Sequence, residues 1–167
     1  MEKNWFECRV SYDKVQDNGA IKRITEAYLV DAVNFTEAEK RITEEMQPYI
    51  SGEFTVSAVR RRNYESVLVG TEGDYYYRVK LVVITIDEKT AAEKKSNLFL
   101  LVQSDDLPTV IYDVNEFMKG TMADWQFHTI TETPIIDVFR YELGVAIDMA
   151  ALALLRMDNI DKTDDDE

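Results

Sequence analysis

The 167 residues contain one cysteine, one histidine, three prolines and six glycines. Cys8 alone permits no internal disulfide, and Cys8 with His128 cannot supply the Cys/His ligand set of a zinc site. No glycine falls in a GxGxxG or Walker spacing, so the chain lacks a phosphate-cradling loop. No serine or cysteine nucleophile motif lies near His128, which reads as a structural residue on a strand with Phe127 and Ile130. The carboxylates are scattered. Asp105-Asp106 reads as a helix cap, Asp87-Glu88 as a turn and Asp31 as an interruption at a strand end. The expectation is a protein that is not an enzyme and uses no cofactor and no metal. No run of eighteen apolar residues occurs, and Met-Glu-Lys-Asn-Trp lacks the basic-then-apolar order of a secretory signal. A soluble cytoplasmic protein without membrane contact follows as the expectation.

A chain that is 46% hydrophobic and 11% aromatic at this length can bury one sizeable core but is short for two ordinary domains. The formal net charge is −13. Residues 158–167, DNIDKTDDDE, hold six acids and one lysine, a net −5, which leaves −8 on residues 1–157. An acidic balance works against indiscriminate phosphate binding, although a local basic surface can persist within it.

The organising stretch is EAYLVDAVNFTEAEKRITEEM, Glu26 to Met46, whose design recurs in NLFLLVQSDDLPTVIYDVNEFMKG, Asn97 to Gly120. In each, an apolar strand passes through a short polar link into a capped amphipathic helix, and a strand-rich segment follows. The prediction is an α+β fold, a tandem pseudo-repeat of strand-strand-helix-strand units forming antiparallel sheet or sheets with two amphipathic helices. Residues 1–141 are read as a single domain of two similar halves, about 4–69 and 74–141. Trp5 to Tyr12 alternates with Phe6, Cys8, Val10 and Tyr12 on one face, and Asp17-Asn18-Gly19 turns it into a returning strand from about Ile21 to Ala32. Thr36 to Glu39 has the form of a capping box, with Ala38, Ile42, Met46 and Tyr49 at helical spacing behind it. Phe54 to Val59 is a strand that bends at Arg60-Arg61-Arg62-Asn63 before Tyr64 to Val69. Tyr75 to Ile86 is the longest strand and belongs at the sheet centre, with a polar loop from Asp87 to Asn97 and a strand from Leu98 to Val102. Asp105 or Asp106 caps the second helix, which carries Val110 or Ile111, Val114, Phe117 and Met118 inward and stops at Gly120. Trp125 to Glu132 and Ile135 to Tyr141 are strands separated by Pro134.

Residues 142–157 break the pattern, because VAIDMAALALLRM is apolar nearly all round and wants burial on more than one side. A helix there either docks across the domain or forms a subunit interface through Val145, Ile147, Met149, Leu152, Leu154 and Leu155. The remainder, 158–167, is a disordered acidic tail by composition.

Five collinear runs carry a family resemblance: NWFECRV at Asn4 to Val10, EAYLVDAVNFTEAEKRI at Glu26 to Ile42, PYISGEFTV at Pro48 to Val56, MKGTMADW at Met118 to Trp125 and TETPIIDVF at Thr131 to Phe139. Over roughly residues 4 to 141 the chain resembles an uncharacterised family of small proteins, a domain of unknown function found in gut Bacteroidetes and their crAss-like phages. That resemblance implies no catalytic residue, and for a phage-encoded member it implies the host cytoplasm.

If Phe54 to Val69 is bent into two strands, the order between the helices becomes four strands and then a helix. This order resembles the repeat of Whirly and PUR-type single-stranded nucleic-acid binders, whose curved sheets offer aromatic and basic side chains to unstacked bases. The candidates here are Arg9, Lys22, Arg23, Arg60, Arg61, Arg62, Tyr76, Arg78 and Lys80. Arg78 and Lys80 share a strand face with Tyr76, which pairs a stacking platform with phosphate contacts. The plainer alternative is that these are solvated outward residues of a half-buried sheet. Two functions follow. The first is a homo-oligomeric accessory protein that binds single-stranded DNA, with the acidic tail competing for the basic surface, recruiting a protein partner or merely solubilising the chain. The second is an adaptor or inhibitor that meets a basic protein through its acidic surface and C-terminal helix, without nucleic acid.

Overall fold

The computed structural model describes residues 4–69 and 73–140. The predicted C-terminal helix, its six interface residues Val145, Ile147, Met149, Leu152, Leu154 and Leu155, and the acidic tail lie outside the described residues. In chain order the elements are β1 (Asn4–Val15), β2 (Ile21–Ala32), α1 (Phe35–Met46), β3 (Phe54–Arg62), β4 (Ser66–Leu68), β5 (Tyr75–Ile86), β6 (Glu93–Ser104), α2 (Leu107–Met118), β7 (Asp124–Glu132) and β8 (Ile135–Phe139). The fold is α+β, with two four-stranded sheets of orders β3-β1-β2-β8 and β4-β6-β5-β7. The chain divides into two compact units, with boundaries between Asn63 and Tyr64 and between Thr133 and Pro134.

In the first unit, alternation along β1 puts Phe6, Cys8 and Val10 on the face covered by α1. Tyr28, Val30 and Ala32 of β2 complete that face, and Ala38, Ile42 and Met46 meet it from the helix at intervals of four residues. Burial, followed by the Glu7 and Glu39 charges, pushes the Cys8 thiol up to about 12, so it is a neutral core group. The β1–β2 turn is as the sequence predicts, with Gly19 supplying a positive φ of 82°. Beyond Tyr12, β1 has no partner in β3, so the hairpin continues outward as a two-stranded arm. At its root Tyr12 and Tyr28 both donate hydroxyl hydrogen bonds to Glu26. Burial and then the Glu26 hydrogen bond raise both phenols above their ordinary value.

Two local expectations for α1 need correction. The helix starts earlier than Thr36. Asn34 is the N-cap, accepting from Glu37 N at 2.8 Å, while the Glu37 carboxylate reaches back to Val33 N at 2.6 Å. A reciprocal cap therefore exists two residues upstream of the predicted box, because Asn34 is extended at φ −154° and Thr36 is already in the first turn. The helix also ends at Met46, where both Tyr49 N and Ile50 N bond to Met46 O; this tight exit buries Ile50 and leaves Tyr49 75% exposed.

In the second unit β5 and β6 are the inner strands, with Tyr77, Val79, Leu81, Leu100 and Val102 packed against Val110, Val114 and Met118 of α2. Asp106 caps α2 by accepting from Thr109 N at 2.8 Å, and Pro108 occupies the first turn. Thr109 hydrogen bonding holds the Asp106 carboxyl below its usual range. β5 is central as predicted, but β1, β2 and β6 match its length of twelve residues. β6 starts at Glu93 rather than Leu98, because Glu93 to Asn97 keep register with β5 while exposed. A polar sequence paired on one edge leaves no alternation to read.

The third strand of each sheet is bulged at the corresponding place. Ser57 is extra opposite Arg9 and Val10, and His128 is extra opposite Lys80 and Leu81. β3 continues through Arg60–Arg62, so the break falls at Asn63 to Glu65 instead of at the arginines. After it the chain changes sheets. β4 pairs in parallel with β6, and β8, beyond Pro134, pairs in parallel with β2. Glu65 N bonds to Phe99 O at 2.8 Å, and Thr133 N bonds to Tyr76 O at 2.8 Å, so both transitions are tied down.

Each sheet thus depends on a strand encoded in the other half. Fragments 1–70 and 71–167, expressed singly, are expected to aggregate or remain unfolded, and when co-expressed to co-purify as a soluble complex with strand-rich circular dichroism. Native-like dispersion in the NMR spectrum of either fragment alone would contradict the exchange.

Candidate nucleic-acid interface

The side chains on the sheet faces turned away from the helices follow from register. In the first sheet this face carries Trp5, Glu7 and Arg9 of β1, because Phe6, Cys8 and Val10 face α1. Arg60 lies directly across from Glu7, and Arg62 across from Trp5. Glu7 is only 4% exposed; Arg62 reaches it at 3.2 Å and Arg9 at 3.8 Å. The Arg140 guanidinium lies over the Trp5 ring, 5.5 Å from its centroid. Arg9 and Arg62 therefore share one buried carboxylate, with Arg60 across the ladder from it and Arg140 over the neighbouring indole.

Arg61 does not join them. Alternation sends it to the helix side, where its guanidinium sits 5.5 Å from the Phe6 centroid and 5.8 Å from that of Phe35. Lys22 and Arg23 are on the β1–β2 arm, where Lys22 faces Lys14 and Arg23 pairs with Asp13 at 3.3 Å. This exposed pair is worth little energetically and leaves both residues outside the cluster.

In the second sheet the face away from α2 carries Tyr76, Arg78 and Lys80. Tyr76 needs correction as a stacking platform, because its side chain is 3% exposed and offers bases no ring face. Phe99 has that position instead, with the exposed Arg78 guanidinium 4.7 Å from its centroid. Lys80 is across from Phe99 on one side and Thr129 on the other, and Arg78 is across from Leu101 and Thr131. All four cross-strand neighbours are uncharged; Leu101 is fully buried, Arg78 is exposed and Lys80 half-buried.

Sequence reasoning missed Trp5, Glu7, Phe99 and Arg140. Alternation in the first strand already placed Trp5, Glu7 and Arg9 together, whereas Phe99 and Arg140 depend on pairings between distant strands. His128 is exposed, as the extra residue of the β7 bulge. Among the described residues no group of His, Cys, Asp and Glu is arranged to hold a metal ion, and no helix is long and apolar enough to cross a membrane.

Two four-stranded sheets, each backed by one helix and bearing arginine–aromatic pairs on the opposite face, define the class. The chain belongs to the family described as Domain of unknown function (DUF4494), whose model matches residues 4–141. Neither a curated protein nor a solved structure matches it.

Glu7 is ion-paired with both Arg9 and Arg62 on this face. Glu7→Gln is expected to lower stability by about 2 kcal/mol, since it leaves guanidinium groups less compensated. The same variant is expected to elute from heparin at higher salt. An unchanged melting temperature together with unchanged elution would show that the ion pairs are incidental.

Proposed function

We propose that this chain is a non-enzymatic accessory protein that binds single-stranded DNA, acting in phage or bacterial DNA metabolism within the cytoplasm. Its two units are copies of one strand-strand-helix-strand design, and it works as a homo-oligomer whose acidic tail competes for the basic faces or recruits a protein partner. One observation supports this above the others: each unit sets an arginine over an aromatic ring on the sheet face away from its helix, Arg140 over Trp5 and Arg78 over Phe99. Such a pair offers a flat cationic surface for a base and charge for a phosphate at the same place. Arg9, Arg60 and Arg62 add charge in the first unit and Lys80 in the second. Arg61, Lys22, Arg23 and Tyr76 drop out of the face for the reasons of register and burial given above.

A second reading, a protein-binding adaptor, is favoured by α2. Leu107, Ile111 and Tyr112 are 49%, 42% and 64% exposed, and Asp113 and Glu116 are its only charged residues. That surface suits an amphipathic basic partner.

The test is fluorescence anisotropy of labelled poly-dT with the full chain and with a version ending at Met157. Binding is expected to weaken with salt and to strengthen on removal of the tail. Joint substitution Arg78→Ala and Lys80→Ala is expected to weaken binding by about tenfold and to lower the salt slope by about 1 to 2, while Arg61→Ala leaves both unchanged. No retention by either version at low salt would overturn the proposal and move attention to α2.

A further inference from the structure

β3 ends the first unit's sheet, so its edge facing away from β1 has no strand partner among the described residues. Such an edge presents a row of backbone N–H and C=O groups that can template another extended chain. Proteins often blunt edges with bulges, and Ser57 interrupts this one near its middle. Of the two regular stretches it separates, Phe54 to Val56 and Ala58 to Arg62, the first borders an open groove. Glu39 and Thr43 of α1, its C-cap Gln47 and residues 52–56 line it, around a volume of about 510 Å³. Glu39 and Glu53 both contribute carboxylates, and among the described residues no basic side chain lines the groove and neither carboxylate is ion-paired.

We infer that this groove is a docking site for an extended basic peptide segment, which adds as a short strand to the edge of β3 and places a lysine or arginine between Glu39 and Glu53. Main-chain hydrogen bonds to Phe54–Val56 supply affinity, and the groove supplies selection by charge. An apolar or acidic segment would leave the two carboxylates without a counter-charge, whereas a basic one meets both. The selectivity belongs to this unit, because α2 and its C-cap present Ile111, Asn115 and Lys119 where α1 and its C-cap present Glu39, Thr43 and Gln47. The site is separate from the arginine–aromatic faces and needs no nucleic acid.

The experiment titrates the ¹⁵N-labelled full chain, without DNA, with the peptide Thr-Val-Lys-Val-Thr-Gly and with its Glu-for-Lys counterpart. The expected result is salt-sensitive movement of the Phe54, Thr55 and Val56 amide signals with the lysine peptide and little with the glutamate peptide. Glu39→Lys with Glu53→Lys, both on exposed positions, is expected to weaken the lysine peptide by about tenfold while the rest of the spectrum stays in place. N-methylation of alternate peptide amides is expected to abolish binding if a strand is added. Equal binding of both peptides, insensitivity to charge reversal, absence of shifts at β3, or movement of the Phe54–Val56 amide signals on concentrating the chain without peptide, as pairing of this edge with a second copy would give, would each overturn the inference.

Discussion

Both sheets depend on the same constraint: each is completed by a strand encoded after the third strand of the other unit. β4 is three residues long, yet Leu68 within it is fully buried and belongs to the core under α2. A side chain of that kind contributes about 1.5–3 kcal/mol when withdrawn from water. β8 does the corresponding work in the first unit, where Ile135 is 3% exposed and the Phe139 ring stacks on Tyr28 at 5.7 Å. These short parallel strands also satisfy backbone groups along β2 and β6 that would otherwise lie open. The polypeptide can change sheets only where strand pairing is broken, and Asn63 to Glu65 and Thr133-Pro134 are those places. Proline at 134 suits the second of them, since it has no N–H to offer a ladder.

With that framework set, strand alternation decides which charges act together. Three consecutive arginines at the end of β3 look like one basic patch in the sequence. The pleat sends Arg61 over Phe6 and Phe35 and leaves Arg60 and Arg62 beside Glu7 and Trp5. Basic character on a chain of net charge −13 is therefore assembled from separate strands rather than from a run. The same geometry sets Glu7, a buried acid, between Arg9 and Arg62.

Much of the architecture was legible in the sequence. Phe6, Cys8 and Val10 could be assigned to the core by period two and Ala38, Ile42 and Met46 by period 3.6, whereas the run Tyr28-Leu29-Val30 gives no alternation to read because β2 is buried on both faces from Ala27 to Ala32. Three features were not legible, each for a physical reason. The exchange of β4 and β8 leaves no local signature, since a short apolar strand reads the same whichever sheet receives it. The first half of β6 is polar on both faces, and its strand character comes wholly from pairing with β5. Tyr76 has the chemistry and strand face of a stacking platform, but its burial comes from tertiary packing, so Phe99 offers the ring instead.

The claim on which the functional account rests is that bases stack on the faces turned away from the helices, at Trp5 and Phe99. Photocrosslinking of a bromodeoxyuridine-substituted oligo-dT to the full chain, with the adducts located by mass spectrometry, tests this directly. Adducts on the peptides carrying Phe99 or Trp5 are the expected result. Adducts confined to α1, to α2 or to the tip of the β1–β2 arm, or no adduct at low salt, would contradict it.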